Sequence, residues 1–317
     1  GRAARHHRRA APAFELHNLK ETIMSQTRIG IVGVGVMGSA IAGRFLQTGH
    51  SVTVRDRDAE KTAPLAARGA SVADSAEALM EASDVVILSL NTAEIVDAVV
   101  FGADGLAAHA REGVLLIDMS STDPKATAAM AQRLRAETGM GWVDAPLSGG
   151  APAATEGRLT LMMGGEAEEV ERARHVLSAV AANMTHMGPS GAGQTTKLIN
   201  QVLCACNFMA VAEATRLALD AGVDAERIPA ALAGGRADSR ILQEFMGKMA
   251  RFDLTPTGRI DNMLKDLEAT QRFSMGLRTP MPLTNLIADL HRMMVAAGIG
   301  HEDSAAYMKL FDFGKAP

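Results

Sequence analysis

Apolar and polar positions change their rhythm about two-thirds of the way along the chain. From Arg28 to about Gly193, short apolar runs alternate with helical stretches. The pattern predicts strands over Ile29–Val34 and Ser51–Arg55. It also predicts strands over the near-continuous apolar runs Asp84–Leu90 and Val114–Asp118. Such runs suit parallel strands covered on both faces. Further strands are expected over Trp142–Asp144, Leu159–Met163 and Met184–Met187. Between them, Ser39–Thr48 reads as a helix closed by Gly49. Asp74 and Glu77 read as a capping box that opens a helix through Met80. This alternation predicts an α/β fold built on a doubly wound sheet.

After Gly193 the strand signals stop. Helical periods over 195–221, 224–233, 239–251, 260–276, 282–297 and 303–311 predict an all-α part, with Pro282 in the first turn of its helix. The expected organisation is an α/β domain over 28–192 and an all-helical domain over 193–317, joined by the helix that starts near Thr195. The apolar run Leu198–Ala212 contains Asn200, Gln201 and Asn207. It is shorter than the roughly 20 residues of a membrane span, so it is expected as a buried helix. Residues 1–27 carry Arg2, Arg5, Arg8 and Arg9 with His6 and His7 among alanines, without periodicity. They are expected as a disordered or artefactual extension outside the fold, with Met24 as the start and no secretory signal.

Composition narrows the partners. The chain has 32 basic and 36 acidic residues, a net charge of −4, and 3% aromatics. That is neither the basic surplus nor the stacking surface of a nucleic-acid binder. Two cysteines in 317 residues exclude a disulfide scaffold and fit a reducing, cytoplasmic setting. Cys204 and Cys206 lie two apart on a helix without a second ligand pair, so they read as core residues and no metal site is expected. The 19 methionines are expected to fill the helical core.

The chemistry begins with Gly33-Val34-Gly35-Val36-Met37-Gly38, a G-x-G-x-x-G placed after a strand and before a helix. Gly33 suits the tight turn, Gly35 a close approach to a pyrophosphate, and Gly38 close helix–strand packing. The helix N-terminus, with Val36 and Met37 in its first turn, offers unpaired N–H groups to the phosphates. Asp56 follows Gly33 by 23 positions, near where an acid takes the adenine ribose hydroxyls, which favours NAD. Arg57 beside it suits a 2′-phosphate, so NADP stays open. The first domain is therefore expected to be a Rossmann-type dinucleotide-binding domain.

Three further stretches join this motif: Asp144-Ala-Pro-Leu-Ser-Gly-Gly150, Gly191-Ala-Gly-Gln-Thr-Thr-Lys-Leu-Ile-Asn-Gln201 and Arg259-Ile-Asp-Asn-Met-Leu-Lys-Asp-Leu267. In this order over residues 28 to about 313, they resemble the β-hydroxyacid dehydrogenase family. The 259–267 form and the Asp56-Arg57 pair look most like its tartronate semialdehyde reductase branch. Other branches remain open: 3-hydroxyisobutyrate dehydrogenase, succinic or glyoxylic semialdehyde reductase, and L-threonate dehydrogenase.

The resemblance implies an NAD(P)-dependent oxidoreductase acting on a small hydroxy acid or semialdehyde, as a homodimer or homotetramer. It implies Lys197 as the catalytic acid/base and Asn200 beside it as a catalytic and substrate-orienting residue. It also implies Ser148, Gly149 and Gly150 as the carboxylate loop. Asp266 is implied near the substrate and Lys265 at the cofactor. Leu90, Asn91 and Ser121 are implied as cofactor loops, although the family commonly has proline where Asn91 stands. Positions 197, 200, 201 and 204 share a helix face. The apolar neighbours Leu198, Ile199, Val202 and Leu203 are expected to make it a buried cleft, lowering the Lys197 pKa together with the helix dipole. Arg259 is a further candidate carboxylate contact. From the residues alone a second class stands beside the enzyme, a non-catalytic dinucleotide-binding interaction protein; Lys197 and Asn200 speak for catalysis.

Overall fold

Residues 27–311 are described by a computed structural model; the expectations for the N-terminal extension fall on residues 1–26, outside them. The chain divides into two compact units at Thr195/Thr196.

The first unit holds nine strands: β1 (Arg28–Val32), β2 (Ser51–Arg55), β3 (Ser71–Val72), β4 (Val85–Leu88), β5 (Leu115–Asp118), β6 (Gly141–Asp144), β7 (Leu147–Ser148), β8 (Leu159–Gly164) and β9 (Ala181–Gly188). They form one sheet in the order β3-β2-β1-β4-β5-β6-β8-β7, with β9 also pairing β8. Pairing is parallel from β3 to β6, and β8 runs antiparallel to β6 and β7. The order reverses beside β1, which makes the end of that strand the place where ligands bind in open α/β sheets.

Alternation along the strands builds two cores, one on each face. Ile29, Ile31, Ile87, Leu115 and Ile117 enter one, with Ile41 and Phe45 of helix α1 (Val36–Gln47). Val32, Val86, Leu88, Leu116 and Trp142 enter the other. The first helix starts at Val36, three residues before its predicted start, because the turn after β1 already leads into helical backbone. The helices that follow are α2 (Ala59–Ala66), α3 (Ala76–Glu81), α4 (Ala93–Phe101), α5 (Pro124–Thr138), α6 (Gly150–Glu156) and α7 (Ala167–Leu177). The cap of α3 is Ser75, not Asp74: its hydroxyl accepts from the Ala78 N–H at 3.0 Å. Serine and aspartate are equally good caps, so sequence alone did not set that register.

The long helix α8 (Ala192–Asp220) contains the division between the units. Beyond it the second unit is helical: α9 (Ile228–Leu232), α10 (Arg240–Ala250), α11 (Ile260–Leu277) and α12 (Pro282–Ala296), with 3-10 turns at Ala225–Arg227 and Ser304–Phe311. The predicted last helix is thus a 3-10 segment. Its core gathers Phe208, Met209 and Ala212 of α8, Phe245 and Met249 of α10, and Tyr307. The Phe208 and Phe245 rings meet edge to face at 4.7 Å. In the same core, the His291 ring faces the Ile287 carbonyl through Nδ1 and the Tyr307 hydroxyl through Nε2.

The helix expected over 195–221 forms as α8, but its apolar run differs from expectation in its span-like length and in its burial. Helix α8 has 29 residues, continuing past Glu213 and Arg216, so by length and composition it is long and apolar enough to cross a membrane. Only 39% of its most apolar window is buried within the chain. Ala205, Phe208 and Ala212 face the helical core, while Ile199, Leu203 and Leu217 are exposed.

Two carboxyls pair across the ends of β5 and β6, where Asp118 and Asp144 are register partners and both fully buried. Burial pushes Asp118 up to about 7, against the hydrogen bonds from Ser120, and its Oδ2 has no partner. A carboxyl raised in the folded state stabilises below its unfolded value near 3.8 and loses that contribution as pH rises through about 7. Asp118→Asn mimics the protonated form. Between pH 5 and 8 its stability relative to the parent should improve by about 2–3 kcal/mol, at about 1.4 kcal/mol per pH unit. Urea unfolding at the two pH values measures this, and a constant difference would show that Asp118 is ionised throughout.

Candidate active site

The turn after β1 supplies the first half of the site. Gly33 has φ +87°, a left-handed conformation that favours glycine. A Cβ on Gly38 would stand 1.9 Å from the Gly33 carbonyl oxygen, so helix and turn close only because that residue has none. A Cβ on Gly35 would meet no atom within 4 Å. Gly35 and Val36 are exposed, Met37 is half-buried, and no side chain caps the N-terminus of α1. Open space over a glycine, beside uncapped helical N–H groups, fits a dinucleotide pyrophosphate.

Asp56 lies one residue past β2 and reaches into this turn. Its Oδ2 accepts from the Val34 N–H at 2.8 Å and its Oδ1 from the Asp58 N–H at 3.0 Å. Partial burial pushes this carboxyl up, but those donors and the Lys61 ammonium outweigh it and hold it below the usual range. Asp56 is therefore an anion tied to the glycine turn, while Arg57 is exposed.

Leu90 and Asn91 follow β4, and the Leu90 N–H donates to the Ser120 hydroxyl at 3.0 Å. Ser121 is half-buried next to it. Two organising residues escaped the sequence reading. Ser120 ties the loops after β4 and β5 together. Gln194 receives the Thr122 N–H at 3.2 Å and gives its amide to the Ser120 carbonyl at 2.8 Å. Gln194 lies inside the Gly191–Gln201 stretch and Ser120 beside Ser121, but neither carries a charge and neither was given a role.

The stretch Asp144–Gly150 is not the simple loop expected. Asp144 closes β6, Leu147 and Ser148 form β7 against β8, and α6 starts at Gly150. Gly149 and Gly150 both have positive φ, at 119° and 67°, and are exposed. Consecutive residues of this kind turn backbone N–H groups outward, which suits an anion. Strand β7 is at one edge of the sheet, yet α6, which opens at Gly150, packs against α1, which opens at the glycine turn.

In the second unit, Lys197 and Asn200 come together through Gln201, which no motif had singled out as a site residue. Lys197 Nζ donates to Gln201 Oε1 at 3.0 Å, and Asn200 Nδ2 donates to the same oxygen at 2.9 Å. The Gln201 amide donates to Asp266 Oδ2 at 2.5 Å. Lys265 Nζ lies 3.9 Å from Asp266 Oδ1 and is exposed. Burial pulls the Lys197 ammonium down, partly opposed by the Asp266 charge. The flanks differ from expectation: Leu198 is buried, but Ile199 and Leu203 are exposed, because they fall on the opposite side of α8. Cys204 is half-buried, burial pushes its thiol up, and Asn200 Nδ2 approaches its Sγ at 3.7 Å. Arg259 is occupied by Asp261, through Nε at 2.9 Å. Among the described residues, no three or more His, Cys, Asp or Glu side chains cluster as metal ligands would.

Comparison with known proteins places the chain in a family. Residues 28–188 match the model described as the NAD binding domain of 6-phosphogluconate dehydrogenase. Residues 191–311 match the model described as NAD-binding of NADP-dependent 3-hydroxyisobutyrate dehydrogenase. The chain belongs to the β-hydroxyacid dehydrogenase family. As a family member it is an NAD(P)-dependent oxidoreductase. It is 37% identical over 279 residues to a probable 3-hydroxyisobutyrate dehydrogenase-like 2, mitochondrial, of Arabidopsis thaliana, covering 87% of this chain and 90% of that one. It is 32% identical over 287 residues to the 2-hydroxy-3-oxopropionate reductase of Escherichia coli, covering 90% and 97%. Among solved structures, it resembles a 3-hydroxyisobutyrate dehydrogenase of Mycobacterium tuberculosis with L-serine, at a TM-score of 0.82 and 28% identity, covering 90% and 99%.

Two glycine substitutions separate binding from folding in this β-hydroxyacid dehydrogenase. Gly38→Ala must displace the Gly33 carbonyl and should cost about 2 kcal/mol or more of stability. Gly35→Ala fills empty space at φ −64° and should leave the unfolding midpoint within about 0.5 kcal/mol of the parent. It should weaken dinucleotide affinity about tenfold or more, measured by fluorescence titration with NADH and NADPH. An unchanged affinity would show that the phosphates lie elsewhere.

Proposed function

We propose that the enzyme reduces a small carboxylate-bearing semialdehyde to the hydroxy acid, with tartronate semialdehyde as its preferred substrate and Lys197 as the general acid. The observation that carries the reading is the lysine itself: an amine made easier to deprotonate by burial, held at a fixed place by Gln201. Bound NAD(P)H supplies a hydride to the carbonyl carbon. Lys197 Nζ gives its proton to the carbonyl oxygen, completing the hydroxyl, and regains a proton from solvent; in the oxidative direction it accepts that proton. An amine whose pKa falls toward neutrality donates more readily in the transition state.

In this reading the first unit supplies the dinucleotide cradle of Gly33, Gly35, Val36, Met37 and Gly38. It also supplies Asp56 for the ribose hydroxyls, the loops at Leu90, Asn91 and Ser121, and the Ser148–Gly150 carboxylate loop. Lys265 serves the cofactor, while Asn200 and Asp266 orient the substrate around Lys197. The ionised Asp56 favours NADH over NADPH through charge repulsion of a 2′-phosphate. The tartronate assignment rests on the Arg259–Leu267 and Asp56-Arg57 likeness, and the reductase named above supports it. The enzyme is read as cytoplasmic, without nucleic-acid or membrane partners. Exposed Met275, Leu277, Leu283, Leu286 and Met293 on α11 and α12, or at the junction between them, support a homodimer or homotetramer.

Three measurements test this. Tartronate semialdehyde should give a higher kcat/KM than succinic or methylmalonate semialdehyde, with NADH favoured over NADPH by about tenfold, near 1.4 kcal/mol; a better competitor would move the assignment to that branch of the family. Lys197→Ala should lose about 10²–10⁴-fold in kcat while keeping NADH affinity, and Lys197→Arg should not rescue it. Normal kcat with raised KM would make Lys197 a carboxylate anchor instead. Light scattering at micromolar concentration should show a dimer or tetramer, and a monomer would remove the assembly.

A further inference from the structure

Gln201 stands between an ammonium and a carboxylate that would otherwise attract each other. Its carbonyl oxygen takes the Lys197 proton donor at 3.0 Å, and its amide nitrogen meets Asp266 Oδ2 at 2.5 Å. No direct Lys197–Asp266 ion pair occurs among the described salt bridges; the nearest cation to Asp266 is Lys265, at 3.9 Å on the other oxygen. The ionisable groups facing Lys197 are Cys204 on its own helix and Asp266 and Lys265 on α11. Met263 of α11 lies 4.0 Å from the Gln201 amide nitrogen through its sulfur.

We infer that Gln201 is a positioning residue that acts as a neutral spacer, keeping Lys197 and Asp266 from closing into a direct ion pair so that the Lys197 proton stays available to the substrate oxygen. This rests on the reading of Lys197 as the acid. A primary amide is the one uncharged side-chain group that presents an acceptor to a cation and two donors to an anion at once. It satisfies both partners and transfers no charge between them. A direct carboxylate contact within about 4–6 Å would stabilise the ammonium by about 1–3 pH units and make it a poorer acid. Asn200 adds a second donor to the same carbonyl oxygen, which fixes the amide's orientation.

The spacer makes opposite predictions for two substitutions at one position. Gln201→Ala removes the amide and opens room, so the pair closes. Gln201→Met keeps the volume but removes the hydrogen bonds. Lys197 is followed directly by NMR titration of ¹³C-labelled lysine in the dinucleotide-free protein, its signal assigned by loss in Lys197→Arg. The titration midpoint should rise by about 1–3 units in Gln201→Ala. It should not rise in Gln201→Met, and the rise should vanish in Gln201→Ala/Asp266→Asn. A midpoint that falls or stays unchanged in Gln201→Ala would overturn the spacer and leave Gln201 a simple hydrogen-bond partner.

The pH profile of kcat/KM separates this from the identity of the acid. If the midpoint rises but the basic limb stays where it was, the spacer stands and Lys197 is not the acid. If the limb disappears in Lys197→Ala but neither midpoint nor limb moves in Gln201→Ala, Lys197 is the acid and the spacer fails.

Discussion

The first unit is organised around one buried carboxylate. Asp144 closes β6, and its oxygens accept from the backbone N–H groups of Gly191 at 2.8 Å and Gln194 at 3.0 Å, just where α8 begins. Helix N-termini leave backbone donors without partners, and a carboxylate answers both their hydrogen bonds and their dipole. Burial pushes Asp144 up, yet these donors pull against it. The contact explains residues far apart in sequence. A Cβ on Gly164 would stand 2.6 Å from Asp144 Oδ1, and one on Gly193 would stand 2.7 Å from Oδ2. The strand end, its neighbour β8 and the first turn of α8 can meet only if both positions lack side chains. Gln194, held by the same contact, then ties down the loop after β5.

Charge is treated differently at each strand end, and donor supply decides the outcome. Asp56 collects backbone N–H groups and stays an anion beside the glycine turn. Asp118 is fully buried with one oxygen unpartnered, so desolvation wins and it holds its proton toward neutral pH. Lys197 lies between these extremes: burial destabilises its charge, and Asp266 partly restores it. The same balance of desolvation against partners thus keeps Asp56 an anion beside the glycine turn and makes the Lys197 ammonium easier to deprotonate.

Much of this was legible along the chain because it depends on local sterics and short periods. The Gly33–Gly38 turn announced itself since only glycine can occupy φ +87° or a position 1.9 Å from a carbonyl oxygen. The strands over residues 85–88 and 115–118 were legible because both sheet faces are covered, leaving continuous apolar runs. The cap of α3 slipped by one residue because Asp74 and Ser75 are chemically equivalent caps and only the backbone path selects between them. The exposure of Ile199 and Leu203 was misjudged because an apolar stretch on a helix does not say which of its sides the core takes.

Sequence by itself determined the alternating α/β half, the helical half, the dinucleotide turn, and Lys197 with Asn200 and Asp266 as candidates. The first three follow from residue type and spacing within a few turns of chain, and the candidates from the family resemblance of the motifs that hold them. Only the tertiary structure decided how the candidates are wired. Asp266 is 69 positions from Lys197, and Gln201 looked like one polar residue among several on α8. Its role as the link between them depends on α11 packing beside that helix face, and no local pattern encodes a hydrogen bond between distant segments. The burial that loosens the Lys197 proton has the same origin, because desolvation belongs to the packed neighbourhood and not to the residue.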